Sequence, residues 1–251
     1  MRETDFIGSF AKGLRVIEAF ADSSPRLSIA DVARVTGLDR ATARRCLLTL
    51  SELGYADYDG KFFSLTPRIL RLGHAYLSAT PLPQIIQPFL DRLSEEVGQS
   101  ASASVLDGAE VVYVARASQR RVMSINLMPG SRLPAYCASM GRVLLAALAG
   151  DEARQLIEAS DRRAYTPFTR TEPDVLMDEI ERVRRQGFAV IDQELELGLR
   201  SIAVPLSNAR GKVVAALNIG APAAQVTPET MAERYLPPLQ TVARQLRPLL
   251  P

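Results

Sequence analysis

The amino-acid sequence predicts an α+β protein in two parts: a small helical unit carrying one β-hairpin, and a larger domain in which helices surround a mostly antiparallel sheet. Three observations predict it. Ala79-Thr80-Pro81-Leu82-Pro83 sets two prolines within three residues, a run that cannot continue a helix. It divides the chain into pieces of about 80 and about 170 residues, each the size of a domain. Upstream, helix-spaced apolar residues precede a single hairpin signal. Downstream, hairpin signals alternate with helical ones, the order of an α+β sandwich.

In the first part, Leu14, Val16, Ile17 and Phe20 recur at helical spacing between Ser9 and Ala21. Ser28, with Asp31 three positions on, is a near capping box that starts a second helix, whose buried stripe is Ile29, Val32, Ala33 and Leu38. Gly37 stops that helix, because glycine accepts the left-handed turn at least cost. Asp39 caps a third helix with Ala43, Cys46, Leu47, Leu50 and Leu53 on its apolar face, ending at Gly54. The stretch YADYDGKFFSL holds two short strand-like runs about Asp59-Gly60. Pro67 to Ser78 is helical again, with Ile69, Leu72 and Tyr76 on one side. Helix, helix, glycine turn, helix and hairpin is the order of a winged helix-turn-helix. The predicted boundaries are 1–66 for this unit, 67–80 for a linker helix and 81–251 for the second domain.

In the second domain, QIIQPFLDRLSEEVG is an amphipathic helix and SASASVLDGAEVVYVARA a hairpin turning at Asp107-Gly108. VMSINLMPG is predicted as a strand closed by Pro129-Gly130. GSRLPAYCASMG is predicted as a loop leading into a helix from Ser139 to Leu148. DEARQLIEAS and EPDVLMDEIERVRRQG are helices, the second stopped by Gly187. SIAVPLSN and KVVAALNIGA are facing strands, and TPETMAERYLPPLQTVARQLRPLL is a closing helix.

Composition excludes several classes. No apolar run approaches the ~18–20 residues of a membrane span, and Met1 to Asp5 is too polar and acidic for a signal peptide. Cys46 and Cys137 sit inside apolar patterns, which reads as reduced thiols and a cytoplasmic protein. One histidine, His74, and no Cys/His cluster argue against a structural metal, and nothing calls for a cofactor. The net charge of +2 lies wholly in the first part: residues 1–78 hold 11 Lys and Arg against 9 Asp and Glu, while residues 79–251 hold 19 of each. An excess that small cannot argue for nucleic acid, so placement must.

Placement does argue for it. The second helix of a helix-turn-helix enters the major groove with its N-terminal residues. Here that end carries Arg40, Ala41, Thr42, Arg44 and Arg45, opposite buried Leu47 and Leu50. Arginine's planar fork pairs with guanine O6/N7 or grips phosphate. Ser28 and the hairpin-tip Lys61 complete the candidate DNA contacts. The lysine suits the backbone, where contacts give salt-dependent affinity without sequence information.

The second domain offers little for catalysis. A hydrolase needs nucleophile, base and orienter, and the lone histidine lies outside it. Asp192 and Glu194 would be the carboxylates of an enzymatic alternative. A third alternative is a constitutive DNA-binding protein whose second domain only oligomerises. A binding site is favoured instead. The small, polar loop before Ser139 leads into a helix N-terminus, which attracts anions. Arg116 and Arg132 are candidate counter-charges, and Ser201 and Asn218 lie on facing strands. Taken together with the positions that the family resemblance given next implies, the candidate ligand-binding set is Arg116, Arg132, Tyr136, Ser139, Met140, Asp192, Glu194, Ser201 and Asn218.

Three stretches together resemble the IclR family of bacterial transcriptional regulators. SIADVARVTGLDRATARRCLLTLSELGY resembles its helix-turn-helix, and MPGSRLPAYCASMGRVLLA its ligand loop, in the form found in regulators of the β-ketoadipate pathway. QGFAVIDQELELGLRSIAVPL resembles its second effector-domain signature. The resemblance spans about Phe6 to Leu250. It implies a winged helix, a linker helix and an effector domain of GAF/profilin-like fold. It also implies dimers formed through the DNA-binding part, often paired into tetramers, and small organic-acid effectors. The family's pocket positions map onto Ser139, Met140, Asp192 and Ser201. Met140 stands where many relatives have a small residue, and Ser201 where many have cysteine. The expectation is an effector-responsive regulator, not an enzyme, that binds a pseudo-palindromic double-stranded operator, with RNA polymerase as a further candidate partner.

Overall fold

Helix caps set the boundaries of the first unit. In the computed structural model, which describes residues 6–21, 24–79, 81–119 and 127–251, the chain forms two compact units, 1–80 and 81–251. The first holds α1 (Gly8–Glu18), α2 (Ile29–Thr36), α3 (Arg40–Glu52), β1 (Ala56–Tyr58), β2 (Phe63–Leu65) and α4 (Leu70–Ala79). Ser28 and Asp31 form a full capping box, each side chain bonded to the other's backbone N–H. Gly37 ends α2 at φ 69°, a left-handed conformation that only glycine adopts freely. Asp39 accepts from the Thr42 N–H at 2.9 Å and starts α3. Val16, Phe20, Val32, Ala43, Leu47 and Phe63 fill the core beneath these helices. The hairpin closes over Asp59, whose carboxylate accepts from the N–H groups of Lys61 and Phe62. Leu27 pairs with Phe63, adding one bridge to the wing.

One expectation needs revision in this unit. The predicted helix 67–78 begins as a 3-10 turn at Pro67–Ile69 before α4 takes over, because Thr66 caps the Arg68 N–H. Leu14, one of the helix-spaced apolar residues of the first helix, is exposed, as are Phe10, Leu53, Leu72 and Tyr76.

The second unit contains α5 (Leu82–Val97), β3 (Ser100–Asp107), β4 (Glu110–Ala117), β5 (Arg132–Pro134), α6 (Ser139–Ala146), α7 (Gly150–Ala159) and α8 (Pro173–Gln186). It continues with β6 (Ala189–Asp192), β7 (Leu199–Ser207), β8 (Val213–Pro222) and α9 (Pro228–Leu246). Its six strands run β5-β4-β3-β8-β7-β6, every neighbour antiparallel. Helices α5 and α9 cover one face, packing Ile86, Leu90, Tyr235 and Leu239 on Ala101, Ala103, Ile202, Val204, Leu217 and Ile219. Helices α6 and α8 cover the other, with Met140, Val143 and Ile180 against Tyr113, Ala203 and Ala216. Strand alternation follows: in SASAS the alanines face α5 and α9, and Ser100, Ser102 and Ser104 face the opposite way.

The loop predicted before Ser139 is partly regular: β5 pairs with β4, and a 3-10 turn at Ala135–Cys137 follows. Three residues are too few for an alternation signal, so only the pairing with β4 reveals the strand. Most of the strand predicted at Val122–Gly130 lies outside the described residues. Its end is a turn at Pro129-Gly130. Among the described residues, no helix is long and apolar enough to cross a membrane, and no cluster of His, Cys, Asp or Glu can hold a metal ion.

Candidate functional site

The face of the sheet beneath α6 carries a polar row. Register sets Arg116 of β4, Ser102 of β3 and Asn218 of β8 side by side, and one step along the same face Ser100, Gly220 and Ser201. Helix α6 descends on this row with Ser139 and Met140 at its first turn. The result is a cavity of about 40 Å³, walled also by Tyr113, Leu133, Cys137, Ile191, Leu195 and Leu199. That is room for water but not for an aromatic ring.

The polar atoms there are incompletely satisfied. Arg116 donates from Nη1 to Ser102 Oγ at 2.9 Å, and no carboxylate among the described residues pairs with it. Burial pushes its pKa down, the cost of holding a cation out of water, while guanidinium remains charged. Ser139 Oγ and Asn218 Oδ1 are buried without a hydrogen-bond partner among the described residues. Such orphans are rare in native proteins and ask for a ligand or water. Met140 is fixed by Ser104, whose hydroxyl donates to its sulfur at 3.2 Å. Burial raises the Cys137 thiol and the Tyr113 phenol each to about 12, so neither ionises near neutrality.

Of the candidate ligand residues, Arg116, Ser139, Met140, Ser201 and Asn218 meet at this cavity. Four others do not. Arg132 sits on the edge strand and turns outward, paired at 2.7 Å with Asp107 and with Glu110. Tyr136 is buried beneath the turn, donating its hydroxyl to the Arg163 carbonyl at 2.6 Å. Asp192 accepts from Arg200 at 2.6 Å, where the guanidinium also caps the strand end at Ala223 and Val226. Glu194, predicted as a ligand contact or as a carboxylate of the enzymatic alternative, is only 3% exposed and accepts from Arg142 at 2.7 Å. Both carboxylates of the enzymatic alternative are thus committed to arginines. Ser100 and Ser102 were missed, although hydroxyls at every second residue of a strand signal one shared face. Leu195 and Leu199 carried no such signal.

In the first unit, Arg40, Ala41, Arg44 and Arg45 are exposed on α3 and Thr42 is half-buried, while none of the three arginines forms an ion pair among the described residues. Lys61 is exposed at the wing tip, its Nζ 5.1 Å from the Phe62 ring centroid. Ser28 differs: its O–H donates to Asp31 at 2.6 Å, so it positions α2.

Residues 9–60 match the IclR helix-turn-helix domain, and residues 74–247 match the C-terminal domain of the bacterial transcriptional regulator IclR. The chain is 46% identical over 245 residues to the Pca regulon regulatory protein of Pseudomonas putida, covering 97% of this chain and 84% of that protein. It is 39% identical over 255 residues to the p-hydroxybenzoate hydroxylase transcriptional activator of Acinetobacter baylyi, covering 100% and 94%. The second unit resembles the inducer-binding domain of the Acinetobacter transcription factor PobR, solved as a double mutant with 3-hydroxybenzoic acid. That likeness has a TM-score of 0.63 at 35% identity and covers 67% of this chain and 98% of that one. The winged helix, the effector-type domain and full-length similarity lead to one assignment: the chain belongs to the IclR family of bacterial transcriptional regulators.

Proposed function

We propose that the cavity binds a small hydroxylated aromatic acid and that its occupancy alters the affinity of the first unit for an operator controlling aromatic-acid catabolism. The observation that carries this is the pairing, in one site, of Arg116 with two polar atoms, Ser139 Oγ and Asn218 Oδ1; among the described residues Arg116 has no carboxylate partner and the two atoms have no hydrogen-bond partner. A ligand carboxylate would complete Arg116, with the fork geometry that favours carboxylates. An acceptor-only oxygen such as Asn218 Oδ1 calls for a donor, which a ring hydroxyl supplies and benzoate lacks. The relatives named for p-hydroxybenzoate hydroxylase and the Pca regulon, and the hydroxybenzoate-bound inducer domain, support the same chemistry. The cavity is smaller than an aromatic ring, so an entering ring would displace apolar side chains such as Leu195 while the backbone of the walls keeps its place.

The DNA half of the reading rests on α3. Arg40, Thr42, Arg44 and Arg45 would address base edges or phosphates and Lys61 the backbone. The exposed apolar face of Phe10, Leu14, Leu53 and Leu72 supports a dimer, since contiguous exposed apolar surface marks interaction sites. Two recognition helices in such a dimer would read a pseudo-palindrome with half-sites about 34 Å apart or a multiple of it. The Leu72 and Tyr76 face of α4 would carry geometry between effector domain and wing. Tetramers and contact with RNA polymerase extend the same scheme.

Thermal shift and gel shift test it. Hydroxybenzoates at 100 times their Kd should stabilise the protein by about 2.7 kcal/mol, benzoate should bind more weakly, and operator affinity should change about 5–150-fold on binding. If no hydroxybenzoate alters either melting temperature or operator binding, the reading fails.

A further inference from the structure

We infer that the buried Arg142–Glu194 pair is a positioning clamp that joins two walls of the cavity from behind and so sets effector affinity without touching the effector. Its affinity component rests on the effector reading above. Arg142, on α6, is 1% exposed yet does not line the cavity. Its guanidinium engages three separate segments: Nε donates to the Tyr136 carbonyl at 2.9 Å, Nη2 to Glu194 at 2.7 Å, and Nη1 to Glu179 at 3.4 Å. Tyr136 immediately precedes Cys137–Met140, one wall of the cavity. Glu194 immediately precedes Leu195, part of the other.

The connection after β6 needs such support. Gln193 has φ 59°, the one non-glycine residue with positive φ among the described residues, a conformation that persists only where surroundings impose it. Those surroundings are visible. Thr166 donates its hydroxyl to the Gln193 carbonyl at 2.7 Å, Thr169 donates to the Glu194 carbonyl, and the Arg170 N–H donates to the Glu194 carboxylate at 3.2 Å. A buried ion pair adds little net stability over an apolar substitute, so registry is the use that this geometry supports. Arginine's rigid fork suits the task, whereas lysine offers a point charge unable to hold three directions at once.

The test compares full-length wild type with Arg142→Met/Glu194→Gln and with Arg142→Lys. The double variant removes both charges together, leaving no unpaired buried ion, and the carboxamide oxygen introduced at position 194 can still accept from the Arg170 N–H. Amide hydrogen exchange without ligand should quicken about tenfold or more in 135–140 and 193–199 while α5 and α9 stay protected. Titration with 4-hydroxybenzoate should show at least about tenfold weaker binding. Arg142→Lys should loosen 135–140 more than 193–199. Unchanged exchange in both segments, a uniform rise through the whole unit, or loosened segments with wild-type affinity would each overturn the clamp. Failure of wild type to bind hydroxybenzoate removes the effector reading and the affinity component, whereas the ligand-free exchange pattern still decides whether Arg142 joins the two walls.

Discussion

Arg116 and Arg44 are the same side chain in opposite surroundings, and the proposed function gives each its own task. Arg116 is half-buried against Ser102 with no carboxylate partner among the described residues, so a methionine there should keep the packing and remove the proposed anion contact. The expected loss in hydroxybenzoate affinity is about 2–5 kcal/mol by calorimetry, with melting temperature little changed. Arg44 stands in solvent near the start of α3. Arg44→Ala should cost about 1–3 kcal/mol on the cognate operator and relax base preference at one position. Lys61→Ala should instead weaken all DNA alike and lower the salt dependence by about one phosphate contact. Gel shifts at several salt concentrations separate the two.

Helix starts govern both sites. The α2 capping box fixes the helix that supports α3, and Ser28→Ala should lower the stability of the first unit by about 1 kcal/mol in a denaturant titration. The Ser28 hydroxyl is the main cause of Asp31's lowered pKa, so in the variant Asp31 should titrate closer to its ordinary value, as NMR would show. A carboxylate depressed on folding stabilises above its unfolded pKa and loses that contribution as pH falls through its folded one. Acid should therefore unfold the variant's first unit with a smaller pH dependence. At α6 the limiting residue is Gly141, where a Cβ would lie 2.1 Å from the Ala135 carbonyl oxygen. Gly141→Ala must push the 3-10 turn off the helix. Effector binding should be lost along with several degrees of melting temperature, while the isolated DNA affinity of the first unit persists.

For the assembled protein, the prediction concerns the apolar face of the first unit. Phe10 and Leu14 are 67% and 41% exposed in a single chain, which water disfavours unless a second copy covers them. Phe10→Glu with Leu14→Glu should convert dimers to monomers in sedimentation velocity. Operator affinity should then collapse even though every arginine of α3 remains. Binding of hydroxybenzoate by the second unit should survive, because its cavity is built from residues 100–220 alone.

Periodicity and caps were enough to read the winged helix, the exposed arginines of α3 and most strands and helices, because those features follow from residues within one turn or one hairpin of each other. The same local signals single out Ser139 at a helix start and Ser201 and Asn218 on facing strands, whereas Met140 follows from the family resemblance. Antiparallel register then decided which of the remaining polar residues share a face. It brought Ser100 and Ser102 beside Arg116, turned Arg132 out at a sheet edge, and placed Glu194 under α6 beside an arginine 52 positions away. Contacts between segments far apart in the chain have no spacing to betray them. Burial and pairing of charge therefore emerge only when the sheet closes and the helices settle on it.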